Sequence, residues 1–446
     1  MFSPTNLKRL FMILIIVGVV AVMTGTPGSS SAPPTTGVHG SFLERVSWFG
    51  LFVAPRWLLF LTFGVIIWLV VSLYRPRARM IRRRVDTVFA LPKAFTAKKS
   101  TRVALMVLAL VVVLVLPKFV HESFWMYLIV EQIGVYVLLA LGLNVVVGFA
   151  GLLDLGFAAF YAIGAYTTAW LTGALPAPAL FHHPIPILWV IPIGIAAAMV
   201  FGVLLGTPTL RLRGDYLAIV TLGFALIIDD FVETQSGVTG GGVGSSLISH
   251  PALDLGFWHY RWGISPTPYY YLCLLFIVVF IVVFTSLEHS RIGRAWVAIR
   301  EDEVAAESVG INPLKYKVMA FAVGAASGGF GGVMSAGLVG IINPALFTYQ
   351  VSVNVLVLVI FGGMGSIWGV ALGACVIQAV TSYLDNYQPW GYQINDLYMY
   401  IGALLIIMMI FRPAGLLPSR RRAREFAAAK DDEQVHTDEV LTGDQP

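Results

Sequence analysis

The sequence predicts an all-α protein: a polytopic bundle of about 10–12 membrane-spanning helices, some of them broken. Hydrophobic residues make up 58% of the 446 residues and charged residues only 12%, which is about half the charged share of a soluble globular domain. The long apolar runs approach the roughly 20 residues that a helix needs to cross a bilayer. They are continuous, whereas a membrane β-barrel has short segments of alternating hydrophobicity.

The predicted spans are the successive apolar segments of the chain. They lie near residues 10–25, 57–74, 103–120, 124–149, 157–174, 187–207, 216–233, 267–287, 318–341, 350–362, 368–384 and 397–412. The segment at 350–362 is short enough to be a half-helix, and glycines separate the segment at 157–174 from its predecessor. Cys273 and Cys375 both lie in spans, so we expect packing residues and no disulfide framework.

Lysine and arginine indicate the orientation of the spans, because short loops rich in these residues stay on the cytoplasmic side. With the N-terminus inside, 25 of the 29 basic residues fall in cytoplasmic segments and 4 fall outside. Both termini are therefore predicted to be cytoplasmic. The net charge of +5 follows from this topology and from contact with anionic membrane lipid, and it indicates no nucleic-acid partner.

Changes in composition divide the chain into three parts. Residues 1–102 are predicted to be an accessory unit of N-terminal spans and a basic cytoplasmic linker. Residues 103–417 form the main body, and the polar tail at 418–446 is predicted to be disordered. The first 32 residues resemble a secretory signal, but Pro33 disfavours cleavage, so an uncleaved anchor is favoured over a cleaved leader.

The break between the fourth and fifth spans is the first candidate site. Glycines permit a helix to be interrupted, and broken helices in transporters line cavities in which their free ends face polar solutes. A carboxylate in this break is costly in lipid, so it should face protein, water or the inner interface. We predict that four residues line the translocation pathway: Asn144, Gly151, Asp154 and Gly156. An ordinary cytoplasmic turn, with Gly156 as a packing residue, is the alternative.

A second glycine-rich break lies at 362–373, and it follows Asn354 much as the first break follows Asn144. Many transporters are built from internal repeats that bind substrate at their interface. The spacing therefore favours a faint internal repeat. Tight helix packing through small residues explains the same glycines.

The cytoplasmic loop at 290–317 is the most informative part of the sequence. Residues Glu303–Val309 favour a short separate helix on the inner face of the membrane, with acidic residues near its start and Gly310 as its stop. Asn312 is expected to cap the next helix, which has Pro313 in its first turn. Two small side chains on the short helix allow another protein surface to approach closely: Ala305 and Ala306. A solvated connecting helix is the alternative.

Five ordered motifs carry a family resemblance. They are LGLNVVVGFAGLLDLGFAAFYAIGAY (141–166), RLRGDYLAIVTLGF (211–224), SRIGRAWVAIREDEVAAESVGIN (290–312), VLVIFGGMGSIWGVALGA (357–374) and FRPAGLLP (411–418). From about Tyr127 to Leu417, the chain resembles the permease family of branched-chain amino acid ABC importers, specifically its longer, LivM-like subunit. The resemblance implies a short helix that docks into a cleft of an ATP-binding subunit and switches the pore on ATP hydrolysis. The residues of that helix would be Glu303, Ala305, Ala306, Glu307 and Gly310.

The same resemblance implies the partners. They are a second permease subunit, two ATP-binding subunits and an extracytoplasmic solute-binding protein, assembled in a bacterial inner membrane. The chain departs from the family pattern at Ala225-Leu226, at Asp229-Asp230 and in the outer loop at Thr239–Gly242. These departures lie towards the side that receives solute, so they affect substrate identity more than mechanism.

Several alternatives remain open from the sequence. Branched-chain or related amino acids are the favoured solutes, with urea and short amides as the alternative. A stand-alone transporter coupled to Na⁺ or H⁺ needs an acid in mid-membrane, and Glu131, beside Gln132, is the one candidate. An integral membrane enzyme needs converging histidines, carboxylates or a nucleophile. His182 and His183 have no such partners in the pattern, and the glycine-rich outer loop lacks the Lys-Ser of a phosphate-binding loop. We therefore predict no catalytic residue, metal site or cofactor.

Overall fold

The computed structural model describes most of the predicted main body. The described residues are 111, 113–118, 123–176, 185–209, 215–245, 248, 250–254, 259–263, 265–387, 401–402, 405–406, 408 and 415–417. They belong to one compact unit, Leu110–Pro446. The predicted accessory unit at 1–102, the tail at 418–446 and the spans near 10–25 and 57–74 lie outside the described residues. The spans near 103–120 and 397–412 are described only in part.

Five longer helices form most of the first half of the described body. The first, α1, covers Phe124–Phe149 and contains two π-helical stretches, Ile129–Gly134 and Asn144–Phe149. The others are α2 at Phe157–Leu171, α3 at Ile187–Thr209, α4 at Asp215–Thr234 and α5 at Pro266–His289. The connection from α4 to α5 contains an antiparallel hairpin of β1 (Ala252–Asp254) and β2 (His259–Arg261), in which Ala252 pairs with Arg261.

The second half has two short helices followed by three longer ones. They are α6 at Arg291–Glu301, α7 at Glu303–Ser308, α8 at Pro313–Val339, α9 at Tyr349–Gly362 and α10 at Ile367–Tyr387. A 3₁₀ turn at Pro344–Phe347 precedes α9. Helix α8 begins at Pro313, earlier than the predicted span, because a side-chain cap and a first-turn proline start the helix before the apolar run does.

Within the described residues, five helices are long and apolar enough to cross a membrane. They are Phe124–Phe149, Ile187–Thr209, Pro266–His289, Pro313–Val339 and the Pro344–Gly362 segment that includes the 3₁₀ turn. These spans confirm the predicted helical membrane bundle. The chain is not helical from the end of α1 to the start of α2, so the predicted break in this region is also confirmed.

Helix α8 lies at the centre of the bundle because its glycines admit the backbones of its neighbours. A Cβ atom on Gly332 would lie 2.1 Å from the backbone oxygen of Tyr161 in α2. A Cβ on Gly329 would lie 2.8 Å from the backbone oxygen of Gly194 in α3. Small residues at helix contacts are the usual means of close packing in membranes. This glycine-lined packing holds α2, α3 and α8 together as one core.

Loops predicted to lie on the same side of the membrane meet in the structure. Ser245, in the predicted outer loop, pairs with Ile342 through N–H···O bonds of 2.8 and 2.9 Å. The Ser245 hydroxyl donates to the carbonyl of Ala174, at the predicted outer end of the span at 157–174, at 2.9 Å. At the opposite end, the predicted inner residues Gly148 and Arg300 are in contact. The two ends of the bundle therefore separate the loops in the way that the basic residues predict.

Candidate functional site

The short helix α7 is defined by local caps. The Asp302 carboxylate accepts hydrogen bonds from the backbone N–H groups of Val304 and Ala305, at 2.9 and 3.0 Å. Gly310 follows the helix with φ of +86°, a conformation that favours glycine. The Asn312 side chain accepts from Lys315 N at 3.1 Å and caps α8. The predicted short helix, glycine stop and asparagine cap are confirmed, and Asp302 is the N-cap that the prediction missed.

An ion pair and a small side chain seat α7 on the bundle. Lys317 Nζ donates to Glu303 Oε1 at 2.7 Å, and Lys317 is only 4% exposed. Ala306 is 3% exposed and faces inward. Both alanines were expected to contact a partner protein, but only Ala305 is exposed. Ala306 instead packs α7 against its own chain.

The outward face of α7 is open and carries two exposed valines. Val304 and Val309 are 63% and 75% exposed, and the other exposed positions include Ala305, Glu307 and Gly310. Apolar side chains with such exposure at the end of a membrane bundle, on a segment held rigidly by caps and an ion pair, suit contact with another protein. We call this face, from Val304 to Gly310, the α7 surface.

Helix α6 connects the α7 surface to the broken helix. The Ser290 hydroxyl caps α6 by accepting from the N–H groups of Ile292 and Gly293. Trp296 is fully buried, donates from its indole N–H to Tyr316 O at 2.7 Å and stacks on Phe149 with a centroid distance of 6.5 Å. The sequence interpretation missed this helix. Its signal was present in the serine cap and in apolar residues at helical spacing: Ile292, Ala295, Trp296 and Ile299.

Arg300, near the end of α6, reaches the break in α1. Its Nη1 donates to the backbone oxygen of Gly148 at 2.6 Å. A Cβ atom on Gly151 would lie 2.5 Å from Arg300 Cγ, and Gly151 has φ of +72°. Only glycine therefore fits beside the arginine stem at this position. The Arg300 guanidinium therefore links the end of α6 to the end of α1, next to the break.

The two glycine-rich breaks meet at the same end of the bundle. Asn144, which is 1% exposed, accepts from the backbone N–H of Gly365 through Oδ1 at 2.8 Å. Gly363 and Gly365 have φ of +112° and +80°. Leu417 N donates to Gly362 O at 3.2 Å, so the end of the main body also packs here.

Asp154 and Gly156 lie in a different contact, between α2 and α4. Asp154 is fully buried, and its Oδ1 accepts from Gly156 N at 2.8 Å. A Cβ on Gly156 would lie 2.5 Å from the backbone oxygen of Thr221, whose hydroxyl accepts from Leu155 N at 3.1 Å. The structure thus places both residues where they set the start of α2. Of the four predicted pathway residues, only Gly151 is exposed.

Comparison with known proteins identifies the family. The profile of the branched-chain amino acid transport system permease component matches residues 125–411. A high-affinity branched-chain amino acid transport permease of Escherichia coli, LivM, is 38% identical over 305 residues, which cover 64% of this chain and 68% of that protein. A probable LivM permease of Methanocaldococcus jannaschii is 25% identical over 325 residues, or 64% and 91% of the two chains.

Permease proteins named LivH are also similar to the chain. LivH of Escherichia coli is 24% identical over 299 residues, covering 63% of this chain and 91% of that protein. No solved structure is significantly similar to the chain. The matched region begins in α1, includes both glycine-rich breaks and contains α6 and α7. The chain is a multi-pass membrane protein that belongs to the family of branched-chain amino acid transport permease components.

Proposed function

We propose that this chain is one of two permease subunits of an ATP-driven importer and forms half of the pathway for branched-chain or related amino acids. The observation that carries the proposal is the connection from the α7 surface through Arg300 to the break in α1. A permease without an ATP site of its own needs such a connection to a separate ATPase. The proposed partners are a second permease subunit, two ATP-binding subunits and an extracytoplasmic solute-binding protein.

The α7 surface is the proposed docking site for an ATP-binding subunit. Its two valines offer apolar area that becomes buried on contact. Glu303 and Ala306 hold the helix on the bundle rather than contacting the partner, while Ala305, Glu307 and Gly310 remain on the open face. A docked partner that moves α7 would also move α6, because a single residue, Asp302, joins the two helices.

Arg300 is the proposed link between docking and the pore. The hydrogen bond to the Gly148 carbonyl is charge-assisted and about twice as strong as a neutral one. Movement of α6 would therefore pull on the π-helical end of α1, where the backbone is already interrupted. The proposed roles of Asn144 and Gly151 follow from this: they hold the break against Gly365 and Arg300. Asp154 and Gly156 would position α2 at the pathway.

Orientation is part of the proposal. The α7 surface would face the cytoplasm, and both termini would lie there with it, in the inner membrane of a bacterium. The Ser245–Ile342 pairing at the opposite end would face the solute-binding protein. The distribution of basic residues supports this orientation.

The docking experiment compares three aspartate variants in the full complex. Val304→Asp and Val309→Asp introduce a charge on the α7 surface, so each should lower co-purification of ATP-binding subunits by roughly tenfold or more. Val243→Asp is the matched control, because Val243 is 88% exposed and lies in the predicted outer loop. Unchanged association in both α7 variants would refute the docking role.

A transport experiment tests the solute and the energy source. Vesicles that contain the whole complex should take up labelled leucine when ATP is supplied and should take up less urea and sugar. Uptake driven by an ion gradient, with the permease alone and no ATP-binding subunit, would show a stand-alone secondary transporter instead. Uptake of urea in preference to leucine would correct the substrate class and leave the ATP-driven mechanism in place.

A further inference from the structure

A carboxyl group lies inside the bundle, away from the site described so far. Glu131 is the only charged residue in α1, and it lies in the π-helical stretch Ile129–Gly134. Its Oε1 accepts a hydrogen bond from the hydroxyl of Ser335 in α8 at 2.6 Å. The carboxyl therefore connects two helices of the core. It is about 10 Å along the axis from the Phe124 end of the span.

The second oxygen of this carboxyl has no partner among the described residues. Glu131 Oε2 is buried and accepts no hydrogen bond from them, and Glu131 forms no ion pair with any of them. A buried acceptor without a donor is unfavourable, and a carboxylate within a span is rare unless it has a function. This oxygen therefore remains available to accept a hydrogen bond from a bound ligand.

Aromatic side chains from two other segments lie in the same part of the bundle. Tyr161, on α2, is buried, and its backbone oxygen lies against Gly332, one turn before Ser335 in α8. The Tyr161 ring packs on Phe347 with a centroid distance of 4.9 Å, and Phe347 also contacts Tyr166 at 5.8 Å. Phe347 lies in the 3₁₀ turn before α9, so aromatic surface extends from the carboxyl towards the predicted outer end.

The combination suits an organic ammonium group. A carboxylate oxygen accepts a charge-assisted hydrogen bond from N⁺–H, and tyrosine and phenylalanine faces attract cations and pack against alkyl groups. π-Helical stretches inside α-helices occur frequently at functional sites. An amino acid carries an ammonium group next to an alkyl side chain, whereas urea carries no charge to match the carboxylate.

We propose that Glu131, positioned by Ser335, is a binding site on the translocation pathway for the ammonium group of the transported solute. This inference rests on the proposed transport function and deepens it, because it names the part of the solute that the pathway recognises. It also favours amino acids over urea and short amides as solutes.

The test uses the complete complex in vesicles, with saturating loaded solute-binding protein, and measures leucine uptake and ATP hydrolysis in the same sample. Glu131→Gln keeps an oxygen that accepts from Ser335 but removes the charge. We expect leucine uptake to fall at least tenfold, while stimulated ATP hydrolysis stays within twofold of wild type. Fewer leucine molecules would then be carried per ATP.

Two serine variants provide the matched comparison. Ser335→Ala leaves the carboxylate but removes its positioning hydrogen bond, so uptake should fall two- to fivefold. Ser327→Ala is the control, because Ser327 is also buried in α8 but donates within its own helix, to Gly324 O at 2.9 Å. If Glu131→Gln does not reach the membrane, equal uptake by the two serine variants overturns the inference.

The outcomes separate this inference from the proposed function. If the wild-type complex takes up leucine and Glu131→Gln takes up as much, the ammonium site is overturned and the proposed function is not. Parallel loss of uptake and of stimulated ATP hydrolysis in Glu131→Gln also overturns it, because that result indicates a structural role. Absence of leucine uptake by the wild-type complex would overturn the proposed function, and this inference with it.

Discussion

Lys317 is a basic side chain enclosed by the protein, with one carboxylate beside it. Its side chain is 5% exposed, whereas that of Glu303 is 33% exposed. Burial of an ammonium group is costly without a partner. Losing the ion pair therefore costs more free energy when the buried lysine is left alone than when the partly exposed glutamate is. Since Glu303 is the first residue of α7, the same pair decides how firmly the α7 surface is held.

Removing the carboxylate should therefore loosen α7 and destabilise the protein. We expect Glu303→Ala to lower the free energy of unfolding by about 2 kcal/mol, because it leaves the buried lysine without its partner. The loss stays below that of a fully buried pair, since solvent partly screens the exposed part of Glu303. Glu303→Gln should cost less, since the amide oxygen still accepts a hydrogen bond. The measurement is the apparent melting temperature in detergent.

A double-mutant comparison separates the pair from its surroundings. Glu303→Ala together with Lys317→Met removes both charges, so the combined loss should be smaller than the sum of the single losses. Additive losses would show that the two side chains do not interact energetically, in disagreement with their separation of 2.7 Å.

At the level of elements, the close approach of α2 to α8 depends on glycine. A Cβ on Gly164 would lie 2.1 Å from the backbone oxygen of Gly329. Backbone cannot rotate away as a flexible side chain can, so the two helices would have to separate. This contact lies in the core shared by α2, α3 and α8.

Two glycine-to-alanine variants test this contact. Gly164→Ala should lower stability by about 1–3 kcal/mol, the usual cost of overpacking. Gly223→Ala, in α4, is the control because nothing lies within 4 Å of its Cβ position, and it should raise stability by about 0.5–1 kcal/mol through helix propensity. Thermal unfolding in detergent measures both. Equal melting temperatures for the two variants would contradict the packing described here.

Helix α6 can transmit movement to α1 only if its end is bonded to α1. Arg300→Gln should lose the charge-assisted bond to Gly148 O, which we expect to be worth about 1.4 kcal/mol, or about tenfold in uptake. Association with ATP-binding subunits should not change, because the α7 surface is intact. Arg291→Gln, an exposed position at the start of the same helix, is the control. Normal uptake by Arg300→Gln would show that movement reaches the pore by another route.

On the scale of the whole molecule, the two ends of the bundle are predicted to face different compartments. Val309→Cys, on the α7 surface, should react with a membrane-impermeant maleimide only after cells are permeabilised. Val243→Cys, in the predicted outer loop, should react in intact cells. The native thiols interfere little, since Cys273 is buried and Cys375 is partly buried. Labelling of Val309→Cys in intact cells would reverse the topology.

Prediction from the sequence was most successful where the determinant is local. Gly310, Asn312 and Pro313 mark the end of one helix and the start of the next, and the structure places these boundaries there. Caps and stops depend on neighbours within a few residues, so the sequence contains the whole signal. Helix α6 has an equally local signal at Ser290, where the serine side chain caps its first turn.

The arrangement of the candidate site could not be predicted in the same way. The hydrogen bond from Arg300 to Gly148 joins positions 152 residues apart, and that from Gly365 to Asn144 joins positions 221 apart. No spacing rule connects such residues. The inward side of Ala306 was equally hidden, because two adjacent alanines on a short helix differ only in what packs against them.

Local composition sufficed to establish the helical membrane class and its apolar segments, because transfer into lipid depends on the chemistry of each segment alone; the sidedness that the basic residues indicate stays a prediction. Tertiary packing decided which carboxylates are paired, which glycines admit a neighbouring backbone and which residues of α7 remain open to a partner. These properties depend on atoms supplied by distant segments. For that reason the connection from α7 to the broken helix, and the open oxygen of Glu131, became visible only in the folded molecule.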